Sequence, residues 1–462
     1  MPATLCIDFG TGSIRAALNE NGRARPSVLE LGEAFRSSID RASIPSAVFI
    51  DKDMLSISFG EEALKKGLRG EESFLFEMSP KRWMTSESPA TLEKELISGS
   101  GLTRKTVLAG LLAQAFSAAS TATGHPKSRL IKFDTRVAHP VWDPRVRAKL
   151  REHLTWITST AQQLSGVSDR SITIKEFVLE IKNLPKARSS AQSVDVEEPV
   201  AAALELFENS ENAREICVVI DVGAGTTDLG VFVSLTPDEQ ALGHRRKFIQ
   251  AALPRSIYMA GDLIDEEVLR VIKSRASSLS IEVSQDLMRR RRNIKETLFS
   301  RTGKVFEAGV EVTLGDLEKQ ERIRNFGKTL AINFRDLVHE ASGFILPFTN
   351  ARLHRAGRID VVFAGGGSKI GFLRDAIGKS AELTDDSSVP IVIRPTVDGG
   401  RTMPASIERL AVALGGTTPN RYWPVTELAS AREMVTRWDS PGRYVSPPEG
   451  DPPSSGWWRE QE

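Results

Sequence analysis

An α/β fold built from two similar halves is what this sequence predicts, and three observations predict it. The stretch LCIDFGTGSIRAAL at 5–18 and the stretch VVIDVGAGTTDLGVF at 218–232 share one design: an apolar strand, an acid, a glycine-rich turn, a second strand. Asp8, Gly10 and Gly12 correspond to Asp221, Gly223 and Gly225 at a constant offset of 213 residues. That is far too long a period for a solenoid and fits one duplication. The third observation is that strand-like runs alternate with helical patterns along the rest of the chain.

The elements follow in order. After the first hairpin, a basic pair, Lys81-Arg82, sits in FLFEMSPKRWM at 74–84. Helical periodicity covers about 90–123 and 144–165. EEPVAAALEL at 197–206 opens another helix, with Pro199 at a position suited to a first turn. Glu198 beside it can cap that helix. The second hairpin comes next, then MAGDLIDEEVL, which carries Gly261, and helices over about 262–277, 283–299 and 314–341. At 359–377, IDVVFAGGGSKIGFLRDAI runs a strand into Gly365, Gly366 and Gly367 and then into an amphipathic helix, the strand-to-helix geometry that receives phosphates. Beyond 418 the composition changes. A short helix is expected over 425–438, and from 440 Pro, Gly, Ser and charge leave too little apolar surface for a core.

Composition narrows the function. Of 462 residues, 61 are Lys or Arg and 60 are Asp or Glu, a balance of +1 that argues against a dominant nucleic-acid footprint. The six histidines lack ligand spacing, so zinc is not expected. The longest near-apolar run, 107–119, is short for a bilayer and reads as a buried helix, so no membrane insertion is expected. MPATLCIDFG does not read as a secretory signal, and the two cysteines, Cys6 and Cys217, lie in strand-like runs. A reducing, cytoplasmic setting is the expectation.

A carboxylate beside a glycine-rich turn has a bland reading, a turn with a capped or salt-bridged acid. The chemical reading is a triphosphate cradle. Glycines let backbone N–H groups approach phosphate oxygens, and the hydroxyls of Thr11, Ser13, Thr226 and Thr227 add donors. Asp8, Asp221 and Asp228 cannot bind phosphate directly, so they imply Mg²⁺ with its waters. Two such hairpins facing each other would grip the phosphates, and Gly365, Gly366 and Gly367 would hold the nucleoside end.

The succession Asp-Phe-Gly-Thr-Gly, Glu-Pro-Val-Ala-Ala-Ala-Leu, Asp-Val-Gly-Ala-Gly-Thr-Thr-Asp and Ala-Gly-Gly-Gly-Ser resembles the actin and heat-shock chaperone ATPase superfamily. EEPVAAALEL, FLFEMSPKRWM and AHPVWDPRVRAKLREHL (138–154) look most like the DnaK-type chaperones. The resemblance covers about 4–418. It implies a two-lobed fold of duplicated ribonuclease-H-like domains, lobe I at 1–211 and lobe II at 212–418, with a tail at 419–462. ATP would lie in the central cleft and be hydrolysed slowly with Mg²⁺, and the lobe motion would switch a partner protein. Lys81, Glu198, Asp221 and Thr226 take the catalytic places. Asp8, Asp221 and Asp228 lie at the metal and its waters. Gly10, Thr11, Gly12, Ser13, Gly223, Ala224, Gly225, Thr226, Thr227, Gly261, Arg292, Lys295, Glu296, Gly365, Gly366, Gly367 and Lys369 line the nucleotide. Pro199 matches a proline that couples nucleotide state to lobe rotation.

The chain departs from the pattern in places. Ala224 replaces a glycine and should be tolerated if its φ is negative. At the adenine grip MRRRRNIKETLFS keeps Lys295 but offers Arg292, Glu296 and Phe299. Neither Arg nor Phe accepts a hydrogen bond, so either would stack on a purine, or Glu296 would read its edge. The run Arg289 to Arg292 otherwise reads as a solvated helix face. Only 44 residues follow 418, too few for the peptide-gripping domains of a DnaK-type chaperone, so the chain is not expected to hold unfolded peptide alone. Trp423, Trp438, Trp457 and Trp458 in so polar a tail suggest either packing on the body or a partner-docking segment. An actin-like filament former and a small-molecule kinase are the alternative functions.

Overall fold

A computed structural model describes residues 3–20, 26–33, 41–85, 88–130, 132–164, 171–185, 194–208, 216–235, 247–276, 278–299, 302–351, 359–382, 391–393, 407–418 and 422–423. The protein is a mixed α/β structure with several sheets. A six-stranded sheet runs in the order Val194–Glu197, Asp134–His139, Thr4–Phe9, Ser13–Asn19, Ser27–Val28, with Ser43–Pro45 also on Ser13–Asn19. A seven-stranded sheet runs Ile391–Ile393, Ile359–Ala364, Ile216–Val222, Thr227–Leu235, Lys247–Gln250, Tyr422–Trp423, with Arg255–Ile257 also on Thr227–Leu235.

The first five strands of these two orders correspond in direction as well as position. In each, the strand carrying the glycine-flanked acid pairs antiparallel with the next strand of its hairpin and parallel with a later one. That later strand pairs parallel with an outer strand. In each, the second hairpin strand has a further antiparallel partner. The register preserves the repeat: Phe9 pairs with Ile14 and Val222 with Thr227, leaving loops 10–13 and 223–226.

Each sheet has its own core. In the first half Leu5, Ile7, Phe9, Ile14 and Leu18 pack with helices Arg104–Thr123 and Pro144–Gln163. In the second, Val218, Ile220, Val222 and Leu229 pack with helices Gly261–Arg275, Ile281–Leu298 and Glu321–Ala351. A third cluster joins the sheets: Cys6, Cys217, Val219 and Phe232 meet Val200 to Leu204 of helix Glu198–Glu208 and Ala411 and Val412 of helix Ile407–Gly416. The two helices touch so closely that a Cβ on Gly415 would lie 1.8 Å from the Ala201 carbonyl oxygen. One on Gly416 would lie 2.2 Å from Cys6 Sγ. Both thiols are buried and neither is in a disulfide, and burial pushes the Cys6 thiol far up.

Four expectations change. The helix expected over 90–123 is a short 3₁₀ turn, Pro89–Glu93, then helix Arg104–Thr123. Gly99 and Gly101 interrupt it with φ +75°, and the Thr103–Thr106 capping box starts the helix afresh. That helix has 20 residues, not the 13 of its apolar run, so by length and composition it could cross a membrane. With 67% of its most apolar window buried in the protein, it is a core helix here. The segment 314–341 divides into Leu314–Glu318 and Glu321–Ala351. Trp423 belongs to the seven-stranded sheet, paired with Ile249. The expected helix at 425–438, the tail from 440, and Trp438, Trp457 and Trp458 lie outside the described residues.

Candidate functional site

The two glycine turns meet tip to tip. A Cβ on Gly12 would lie 3.3 Å from the Ala224 Cβ, and one on Gly225 would lie 3.0 Å from Thr11 Cγ2. The glycines are needed within their own turns as well: a Cβ on Gly10 would strike the Ser13 carbonyl oxygen at 2.4 Å. Among the described non-glycine residues only Leu55 and Ala308 have positive φ, so Ala224 keeps the ordinary backbone its Cβ requires. Thr226 and Thr227 are buried. Thr226 Oγ1 donates to Asp228 Oδ2 at 2.9 Å and Thr227 Oγ1 to the Met259 carbonyl at 2.8 Å. Thr11 and Ser13 are half-buried.

Behind the turns lies a buried acidic cluster. Asp8, Glu198, Asp221 and Asp228 are all buried, and Lys81, equally buried, donates to Glu198 Oε1. Lys81 Nζ also lies 5.8 Å above the Phe9 ring. Glu198 therefore begins its helix as the partner of Lys81. Burial, and after it Glu198, raises the Asp8 carboxyl to about 6, against Arg15 and Lys81. Burial and Glu198 likewise raise Asp228 to about 7, against hydrogen bonds from the Val141 N–H and Thr226. Asp221 is pushed well above its ordinary value by burial and by Glu198, Asp228 and Asp8 together. Among the described residues no group of three or more His, Cys, Asp or Glu side chains is arranged to hold a metal ion directly.

The third glycine cluster is seated on the second hairpin. Gly365 has φ +79°, and a Cβ there would lie 2.3 Å from Asp221 Oδ1. Gly367 N–H donates to the Val222 carbonyl at 2.9 Å. Gly366 faces open space and Lys369 is exposed. Helix Gly371–Glu382 follows. Gly261 opens its helix on the same turn: the N–H groups of Gly261 and Asp262 donate to the carbonyls of Gly223 and Ala224.

At the expected adenine grip the residues diverge. Arg292 reaches the first half. It donates to the carbonyls of Gly12 at 3.2 Å and Met78 at 2.6 Å, and to Ser79 Oγ at 2.5 Å. Ser79 donates in turn to Asp262 Oδ2 at 2.8 Å, and Asp262 lies 3.7 Å from Arg82 and 3.6 Å from Arg292. Lys295 is tied to Asp265 at 2.9 Å and to the Gly261 carbonyl. Phe299 packs against the second core. Glu296 is not brought to this network; it faces Arg409 at 3.9 Å from an exposed position. The arginine run is not a solvated face. All four are half-buried, Arg290 forks onto Glu307, Arg289 and Arg290 flank Asp286, and Arg291 donates to the Met288 carbonyl.

Sequence reasoning missed Ser79, Asp262, Arg15 and Val141. Asp262 had a signal, an acid in a helix first turn next to Gly261, and Arg15 had one in the hairpin itself, where it stands across from Asp8; Ser79 and Val141 are defined by partners remote in the chain. A cavity of about 550 Å³ lined by Leu18, Glu20, Val28, Glu30 and Thr121 lies at the far end of the first hairpin, away from the turns. The glycines of both turns and the buried carboxylates converge instead at the turns, and the candidate site is placed there. The chain matches no protein-family model and no curated protein.

Proposed function

We propose that this chain is a two-lobed ATPase of the actin and heat-shock chaperone superfamily, nearest the DnaK type. In this reading it binds Mg·ATP between its hairpins, hydrolyses it slowly and transmits the change to a partner protein. The observation that carries the proposal is the duplication in space. Two sheets of matching order each present a four-residue glycine turn with an acid at the same register, and the turns face each other. A lone glycine–acid turn is ordinary; two that meet across a junction supply backbone N–H donors to one ligand from both sides.

The donor set suits a hydrated cation. Burial and Glu198 raise the pKa of all three buried carboxylates, Asp8 and Asp228 add to the rise at Asp221, and among the described residues no direct ligand group converges. Asp8, Asp221 and Asp228 would hold Mg²⁺ through its waters, and the ion would neutralise phosphate charge. The chain's residues do the rest. The turn N–H groups, that of Thr226 included, and the Thr11 and Ser13 hydroxyls bind phosphate oxygens, while the Thr226 hydroxyl is committed to Asp228. Lys81, held by Glu198, places positive charge and a donor where the attacking water must be oriented. Arg292 and the Ser79–Asp262 pair close the junction beside the turns.

Isothermal titration with Mg·ATP tests the proposal. A single saturable site, weakened in Asp8→Asn and in Asp221→Asn, is expected. Absence of binding by the wild-type protein overturns it.

A further inference from the structure

His139 ends the strand Asp134–His139 and is buried. Its ring lies flat on the Trp142 indole, with centroids 3.9 Å apart and planes 7° apart. Nδ1 is 2.7 Å from the Pro140 carbonyl oxygen, and Nε2 is 3.2 Å from Asp195 Oδ2. A backbone carbonyl only accepts. Asp195 is an acceptor too. Arg151 Nε donates to the same oxygen at 2.6 Å. Burial pushes the Asp195 carboxyl up, but the hydrogen bonds and charges of His139 and Arg151 outweigh it and hold the group well below the usual range. A neutral imidazole has one N–H and one lone pair, so it would set a lone pair against one of these acceptors. Only a ring protonated on both nitrogens satisfies both. The indole face beneath favours a cation.

We propose that His139 is a buried imidazolium that positions the Pro140–Trp142 loop and, through it, Asp228. The link is short: the Val141 N–H donates to Asp228 Oδ1 at 3.0 Å. His139 is a positioning residue; Asp228 is the group at the site. The charged groups around it come from several elements. Strand Thr4–Phe9 pairs with the His139 strand and sets Asp8 opposite Ala138. Strand Val194–Glu197 brings Asp195 and Glu197, the latter in register with His139. Helix Pro144–Gln163 brings Arg151 and Arg147, which pairs with Glu197 at 3.7 Å and donates to the Trp142 carbonyl. Asp143 caps that helix. From the second half Tyr258 feels both Asp143 and Asp228. The consequence for turnover rests on the ATPase proposal; the charge state and the loop position do not.

The test uses the full chain without nucleotide, labelled with ¹⁵N histidine, at neutral pH. Protons on both His139 ring nitrogens are expected, and a single N–H overturns the proposal. Asp195→Asn, at a position with 22% side-chain exposure, should strip the Nε2 proton by replacing the charged acceptor; a ring still doubly protonated counts against it. His139→Gln should speed hydrogen exchange at the Val141 amide, and unchanged exchange also overturns it. Should His139→Gln fail to fold, the same exchange measurement on Asp195→Asn decides. With nucleotide, turnover in His139→Gln should drop about tenfold while Mg·ATP affinity stays within about threefold, by analogy with outer-shell partners of metal sites. An affinity loss as large as the turnover loss would mark the ring as a support of the fold alone. If the wild-type protein binds no nucleotide, the ring and amide measurements still decide the positioning, and only the ATPase reading falls.

Discussion

The two hairpins share strand directions, loop length and the place of the acid, yet they differ in what stands across from it. Asp8 pairs with Arg15, so the first hairpin carries its own counter-charge; Asp221 pairs with Asp228, so the second doubles the negative charge. Arg15 pulls the Asp8 carboxyl down, whereas Asp228 pushes Asp221 up. The duplication thus preserved a backbone and split the electrostatics. One hairpin carries its own counter-charge beside the acid; the other holds surplus carboxylate. Lys81 and Glu198, both buried, stand where the halves join.

Breaking that junction should have the largest effect. Lys81→Ala leaves Glu198 buried beside three other carboxylates, and removing one partner of a buried pair costs about 3–5 kcal/mol. A large fall in melting temperature is expected along with loss of turnover. The double variant Lys81→Met, Glu198→Gln should recover most of the stability and none of the activity. If the double variant regains activity, Lys81 is structural only.

The uneven charge also sets a pH dependence. The unfolded chain releases the Asp8 and Asp228 protons near the ordinary 3.8, while the folded protein keeps them to about 6 and about 7. The folded state therefore binds more protons in between, and stability falls as pH rises from about 4 to about 7, then levels. At about 1.4 kcal/mol per pH unit between the folded and unfolded values, the two groups together lose on the order of 7 kcal/mol. Urea denaturation across this range measures it. Asp228→Asn should flatten the slope, and Mg²⁺ alone should stabilise more at pH 8 than at pH 5. Stability that rises across the window would mean that the carboxylates do not share one buried space.

A matched pair of substitutions compares the turns themselves. A Cβ at Gly10 meets the Ser13 carbonyl oxygen at 2.4 Å, but one at Gly223 meets the Thr226 carbonyl oxygen at 3.1 Å. Gly10→Ala must move backbone and should cost about 1–3 kcal/mol; Gly223→Ala needs a shift of tenths of an ångström and should cost under about 1 kcal/mol. Equal costs in thermal melts would show that the first turn relaxes as readily as the second.

Much of this was legible because its signals are local. An apolar run, an acid and spaced glycines define each hairpin, and their recurrence at one offset exposes the duplication. Helix limits were legible only where no remote contact decides them; Gly99 and Gly101 break a pattern that periodicity alone would continue. The polar junction was not legible. Arg292 reads as one of four like residues, yet its partners Gly12, Met78 and Ser79 lie over 200 residues away. Nothing in the text of either half states that Ser79 and Asp262 meet. His139 reads as one scattered histidine until the neighbouring strand brings Asp195 beside it.

The smallest effect belongs to Glu296, where the expected adenine grip divides. Arg292, one turn earlier on helix Ile281–Leu298, is half-buried and spends its donors on the first half. Glu296 keeps 62% side-chain exposure and a 3.9 Å approach to Arg409. Exposed pairs of this kind contribute about 0–1 kcal/mol, so Glu296→Ala should leave stability within a few tenths of a kcal/mol. It should also leave the ratio of ATP to GTP affinity unchanged, because an exposed carboxylate committed to Arg409 does not read a base edge. The wild-type ratio itself should stay under about tenfold, since a guanidinium offers a base a plane and no acceptor for the adenine amino group. Competition binding of the two nucleotides measures both numbers. A strong wild-type preference for ATP that collapses in Glu296→Ala would turn the helix by one position in function, making Glu296 the reader and Arg292 a brace.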